Sequence, residues 1–283
     1  MKGLAIFVTI LLLIANNLQA QKNVKTPKIL PGAYQMETYL PFLKGKKVAV
    51  FANQTSIIEH THLVDTLLKR GIKITKAFAP EHGFRGTADA GEKVDNTTDA
   101  ATGVSIVSLY GKKRKPSAEE LADVDVIVFD IQDVGTRFYT FISSLEEMME
   151  TAIQFNKPLI VLDRPNPNGF YVDGPVLDTT FRSFVGMQPI PIVYGMTIGE
   201  YAKMLLGEKM LSWKYIKKQD EQITLGEVLG FEKQRNNFSL TVIKCKNYTH
   251  KSKYDLPVAP SPNLANMSSI YIYASTCFFE GTV

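Results

Sequence analysis

Between Lys46 and Leu162, short runs of β-branched and apolar residues alternate with amphipathic stretches, and this alternation restricts the chain to an α/β architecture. The strand-like runs are Val48–Ala52, Lys73–Phe78, Val104–Leu109, Val126–Phe129 and Leu159–Leu162. Because they are apolar on both faces, they predict a mostly parallel sheet flanked by helices. Thr61–Arg70 puts Leu63, Leu67 and Leu68 on one helical face and closes at Gly71, a residue suited to the left-handed turn that ends a helix. Ser117-Ala118-Glu119-Glu120 reads as a capping box opening a short helix, and another helix is expected over Ser143–Phe155. After Pro165 the texture becomes rich in Pro, Gly and Asn. A second capping box, Thr197-Ile198-Gly199-Glu200, then starts a helix to about Leu206. Asn236–Lys246 and Ile270–Phe279 read as further strands, and 213–240 has no clear pattern.

A hydrophobic fraction of 45% with 21% charge is that of a globular chain, and a net charge of +4 is too small to argue for nucleic acid. Lys2, the apolar run Leu4–Ala15 and the polar stretch Asn16–Gln21 match a secretory signal peptide, with cleavage expected after Ala20. The run falls short of the ~20 apolar residues that span a bilayer, and no Cys follows it to accept lipid. The mature protein is therefore expected to be exported, periplasmic or secreted, without stable membrane insertion. The two cysteines, Cys245 and Cys277, have neither CxxC nor metal-type spacing and read as separate thiols.

In open α/β sheets ligands bind outside the carboxyl ends of the strands, and each strand-like run here ends in polar residues. They are Asn53-Gln54-Thr55, Pro80–Gly86, Tyr110-Gly111, Asp130–Asp133 and Asp163–Asn166. This rim holds carboxylates, arginines and one histidine, but no nucleophile elbow, no Walker loop and no dinucleotide fingerprint, so no cofactor is expected. Glycoside hydrolysis fits the inventory, since it uses one carboxylic acid to protonate the leaving oxygen and commonly a second carboxylate as base or nucleophile. Glu81, following Pro80 and flanked by His82 and Phe84, is the best acid; alternatively it caps a turn. Asp130 and Asp133 are candidate base, nucleophile or hydroxyl ligands, or else turn formers. Arg137, with Tyr139 nearby, could clamp a substrate carboxylate or pair with Asp133; Asp163 and Arg164 could serve substrate or form an ion pair. With four His and no HExxH, a metal site beside His82 is disfavoured.

Taken together the motifs ANQTS (52–56), THLVDTL (61–67), PEHGFRG (80–86), SLYG (108–111), VFDIQDVGTRFYT (128–140), VLDRPNP (161–167), PIPIVYGMTIGE (189–200), PSPN (260–263) and TCFFEGT (276–282) resemble the bacterial exo-β-N-acetylmuramidases over nearly the whole mature chain. The resemblance implies a Rossmann-like catalytic domain (46–190) after a signal peptide (1–20) and a lead-in (21–45), followed by the start of a smaller α+β domain (191–283). It also implies release of terminal N-acetylmuramic acid from the non-reducing end of peptidoglycan-derived saccharides. It points to Glu81 as leading catalytic carboxylate, with Asp130, Asp133, Arg137 and Tyr139 lining the site and Asn53, Gln54, His82 and Arg85 as sugar contacts. Muramic acid carries an anionic lactyl group, and Arg85, Arg137 and Arg164 could meet it. Tyr194 and Asn168-Gly169 depart from the family pattern, which argues against roles there. Relatives continue past the EGT motif, so the chain is expected to be truncated, with Glu280 a possible further carboxylate near its end. A non-catalytic cell-wall sugar-binding protein and a metal-dependent hydrolase are the competing expectations.

Overall fold

A computed structural model of the protein describes residues 27–86, 96–211 and 225–279. The expected signal peptide and Glu280 lie outside the described residues. The central sheet is built from β1 (Lys47–Ala52), β4 (Lys73–Ala79), β5 (Thr97–Thr98), β6 (Ser105–Ser108), β7 (Val126–Asp130), β8 (Leu159–Leu162) and β9 (Leu240–Ile243). Its order is β5-β6-β4-β1-β7-β8-β9, parallel throughout except for the short antiparallel edge strand β5. The first strand thus lies inside the sheet, with later strands added on both sides, which is the doubly wound Rossmann order. β9 falls within 191–283 and pairs in parallel with β8, so this sheet extends past residue 190.

Alternation along the strands sends neighbouring side chains into two cores. Ala49, Phe51, Phe78, Ile127, Phe129 and Val161 face one core, which α4 (Phe141–Gln154), α5 (Ile198–Gly207), α6 (Leu225–Asn236) and α7 (Met267–Thr276) complete. Val48, Val50, Ala77, Val128 and Ile160 face the other, closed by α1 (Met36–Leu43) and α2 (Leu63–Lys69). Both capping boxes form as the spacing predicts, at α3 (Ala118–Leu121) and at α5.

Two local expectations change. The helix expected from Thr61 begins at Leu63, because Thr61–His62 (β3) pairs with Ile57–Ile58 (β2) in a small hairpin and His62 Nδ1 accepts from Val64 N at 3.3 Å. The strand expected over Ile270–Phe279 is α7 followed by a short 3-10 turn. Asn266 and Ser269 form a capping box ahead of it, and Ile270 and Tyr273, one helical turn apart, are both buried. A helix brings those two to one face, as a strand would not, and packing overrides the β-branched and aromatic composition. Neither cysteine forms a disulfide.

Candidate functional site

Strand order reverses at β1, and the crevice beyond the carboxyl ends of β1 and β7 is where a doubly wound sheet offers a site. The loop after β1 is wound around the Asn53 side chain, whose Oδ1 accepts from Thr55 N at 2.9 Å and Thr55 Oγ1 at 2.6 Å. Thr55 Oγ1 accepts in turn from Gln132 N at 3.0 Å, and Ser56 Oγ donates to the Asp130 carbonyl, so this loop is tied to the one after β7. Two polar atoms of the first loop, Asn53 Nδ2 and Gln54 Oε1, are buried without a hydrogen-bond partner among the described residues.

After β4, Gly83 N donates to the Pro80 carbonyl at 3.1 Å and closes a turn around Glu81 and His82. His82 holds φ +69°, a left-handed conformation that a non-glycine residue adopts at a cost of roughly 1–3 kcal/mol and that clusters at functional sites. Its ring is buried, with Nδ1 lacking a partner among the described residues. Glu81 is partly exposed, and Tyr110, from the end of the adjacent β6, donates its hydroxyl to Oε1 at 2.9 Å. Gly86 brings this loop against the first one: at φ +70°, a Cβ there would stand 2.8 Å from the Gln54 side chain.

Several expected site residues have other partners. Arg85 donates to both Asp65 oxygens at 3.0 and 2.9 Å and to both Asp99 oxygens at 3.1 and 2.7 Å, so two carboxylates occupy its guanidinium. Asp130 and Arg164 form a bidentate pair, Nε–Oδ1 2.6 Å and Nη2–Oδ2 2.8 Å, with both side chains buried. Burial works against the Arg164 charge, but the Asp130 carboxylate outweighs it and holds the guanidinium above its ordinary pKa. Asp163 accepts from Gly199 N at 2.8 Å and Thr197 Oγ1 at 2.9 Å, fastening the start of α5 to the end of β8. Burial, its largest influence, raises this carboxyl to about 6.

Asp133 is 4% exposed. Its Oδ2 accepts from Gly135 N at 2.6 Å and from the Tyr194 hydroxyl, whereas Oδ1 has no partner among the described residues. Burial raises the carboxyl to about 7, with the Tyr194 hydroxyl and the Gly135 and Val134 N–H groups opposing it. Gly135 is required here: at φ +81°, a Cβ would lie 2.2 Å from Asn166 Oδ1. Tyr139 donates to the Pro260 carbonyl at 2.8 Å. Burial, then the carboxylates of Asp133 and, more weakly, Glu81, push its hydroxyl well above the ordinary pKa, which places both acids near one phenol. Arg137 does not pair with Asp133; it donates to the carbonyls of Pro175 at 2.9 Å and of Ile190, is partly exposed, and forms no ion pair among the described residues.

The structure thus gathers Asn53, Gln54, Glu81, His82, Asp133 and Tyr139, turns Asp130, Arg164, Asp163 and Arg85 toward protein partners, and leaves Arg137 without a carboxylate partner among the described residues. It adds Tyr110 and Tyr194. Sequence reasoning set Tyr194 aside as a departure, yet its hydroxyl is on Asp133. Asn168, the other departure, donates to the Val134 carbonyl at 2.9 Å and steadies the same loop. Neither contact has a signal in local spacing, because Tyr194 lies 61 residues from its partner and Asn168 lies 34 from its own. No group of three or more His, Cys, Asp or Glu among the described residues is placed to hold a metal ion, and no described helix is long and apolar enough to cross a membrane.

A family model described as "Exo-beta-N-acetylmuramidase NamZ, N-terminal" matches residues 48–268. The chain belongs to this family. It is 39% identical to the peptidoglycan beta-N-acetylmuramidase NamZ of Bacillus subtilis (strain 168), over 99% of this chain and 64% of that relative. Two solved DUF1343 family proteins from Bacteroides fragilis NCTC 9343 share the fold seen here. One is 44% identical, with a TM-score of 0.74 over 90% of this chain and 62% of its own. The other is 33% identical, with a TM-score of 0.73 over 89% and 60%. The chain therefore spans somewhat under two thirds of each of these relatives.

Proposed function

We propose that this protein is an exported glycoside hydrolase that removes terminal N-acetylmuramic acid from the non-reducing end of peptidoglycan fragments. The observation that carries the reading is a set of buried polar atoms without partners among the described residues, Asn53 Nδ2 and Gln54 Oε1 after β1, His82 Nδ1 beside Glu81 after β4, and Asp133 Oδ1 after β7. A buried polar group without a hydrogen bond costs about 1–3 kcal/mol, and a polyhydroxylated ligand supplies the donors and acceptors that repair the loss. Family membership and the name of the Bacillus relative support the same substrate class.

In this reading Glu81 protonates the leaving oxygen, Tyr110 orients its carboxyl, and Arg137 meets the lactyl carboxylate. The test is incubation with a disaccharide bearing terminal N-acetylmuramic acid. Free N-acetylmuramic acid should appear, and Glu81→Gln should slow its release by roughly 10²–10⁴-fold, the usual worth of a general acid. A disaccharide that binds and stays intact would leave a sugar-binding protein instead. Arg137→Ala should cut the preference for muramic acid over glucosamine roughly 10–100-fold, as expected for a hydrogen bond between charged groups.

A further inference from the structure

The ordinary two-carboxylate mechanism needs a second acidic side chain able to face the sugar. Among the described rim residues this is hard to find. Both Asp130 oxygens are held by Arg164, and Asp163 is held by the first turn of α5. Arg85 holds Asp65 and Asp99. What remains beside Glu81 is Asp133, fixed through one oxygen by Tyr194 and Gly135, with the other buried and without a partner among the described residues. A carboxylate oxygen only accepts, so the group that completes it must bring an N–H or O–H.

Building on the proposed function, we propose that Asp133 Oδ1 receives the N–H of the substrate's 2-acetamido group, and that the acetamido carbonyl oxygen, rather than a second protein carboxylate, attacks the anomeric carbon. In the first step that oxygen forms a bond to the anomeric carbon, the glycosidic C–O bond breaks, and the Glu81 carboxyl gives its proton to the departing oxygen. The N–H proton passes to Asp133, leaving a neutral oxazoline. In the second step water attacks the anomeric carbon as the bond from that carbon to the oxazoline oxygen breaks, and the water gives a proton to Glu81. Asp133 returns its proton to nitrogen, and the freed oxygen becomes the acetamido carbonyl again. Two displacements retain the anomeric configuration. A carboxyl held near neutrality by burial suits a group that must accept and return one proton. Tyr194 is a positioning residue: it fixes Oδ2, so that Oδ1 is the oxygen left for substrate.

The test uses the wild-type chain and aryl β-glycosides of muramic acid whose N-acyl group is acetyl, fluoroacetyl, difluoroacetyl or trifluoroacetyl. Fluorine weakens the carbonyl nucleophile, so kcat/KM should fall by roughly two orders of magnitude across the series, with the β-anomer of muramic acid formed first. Asp133→Asn should lower kcat roughly 10²-fold with KM nearly unchanged, and Tyr194→Phe should displace the limb of the pH–rate profile that reports Asp133. A flat fluorine series, the α-anomer as first product, or full kcat in Asp133→Asn would overturn the inference while leaving the muramidase reading standing. No hydrolysis of any of these glycosides or of the disaccharide by the wild type would overturn both.

Discussion

Asp133 concentrates the site's electrostatics in one residue. Its folded carboxyl titrates near 7 against an ordinary 3.8, so between those values the folded protein keeps a proton that the unfolded chain has released. The stability this contributes is fully present below the unfolded pKa and is lost as pH rises toward 7, at roughly 1 kcal/mol per pH unit. Asp133→Asn removes that dependence. Urea unfolding at pH 5 and pH 8 should therefore show the variant gaining on the wild type as pH rises; an equal difference at both values would refute the assignment. His82 carries the other residue-scale cost, its left-handed backbone. Replacing it with Gly relieves the strain and deletes the ring, so stability should hold or rise by about 1 kcal/mol while turnover falls, measured by thermal melts beside the disaccharide assay.

At the scale of elements, ion pairs and caps at the ends of β7 and β8 hold loops in register rather than offering groups to substrate. Arg164 reaches from the end of β8 to Asp130 at the end of β7 and also donates to the Ile57 carbonyl at 3.2 Å, spanning three segments of chain. Removing one member of a buried pair leaves the other charge uncompensated, so Arg164→Leu should cost about 3–5 kcal/mol. Asp130→Asn combined with Arg164→Leu should recover much of that loss in the same urea titration. Additive losses would show that the pair is not the unit assumed here. α5 works similarly, with Asp163 accepting from both the Thr197 side chain and the Gly199 backbone and anchoring the helix start beneath the sheet's carboxyl edge.

At the scale of the whole molecule, two cores on opposite faces of one sheet make the rim a rigid edge on which loops from four strands meet. A saccharide that binds this edge binds only the folded state, so at 100 times its Kd it should raise unfolding free energy by about 3 kcal/mol. Asn53→Ala should weaken that stabilisation, as thermal shift with the non-hydrolysed product would record. The sheet was legible in the sequence because β1, β7 and β8 are buried on both faces and so are nearly uninterrupted apolar runs, while β4 and β6 become buried toward their carboxyl ends. α7 was not, because its β-branched and aromatic composition suits a strand, and only the burial of Ile270 and Tyr273 against the core decides for a helix.

The same division runs through the site. The polar residues that follow each strand were readable because strand ends in a doubly wound sheet share one edge, and Glu81, His82 and Asp133 could be named from position alone. What each side chain does there was set by partners remote in the chain. Asp65 and Asp99 take Arg85, Arg164 takes Asp130, the first turn of α5 takes Asp163, and Tyr194 takes Asp133. Local pattern fixes where backbone polarity and apolar surface must go, since both are satisfied within a few residues. The pairing of buried charges is a long-range contest for a few partners, and only the folded chain shows which carboxylate wins a cation and which is left with an oxygen unpartnered among the described residues.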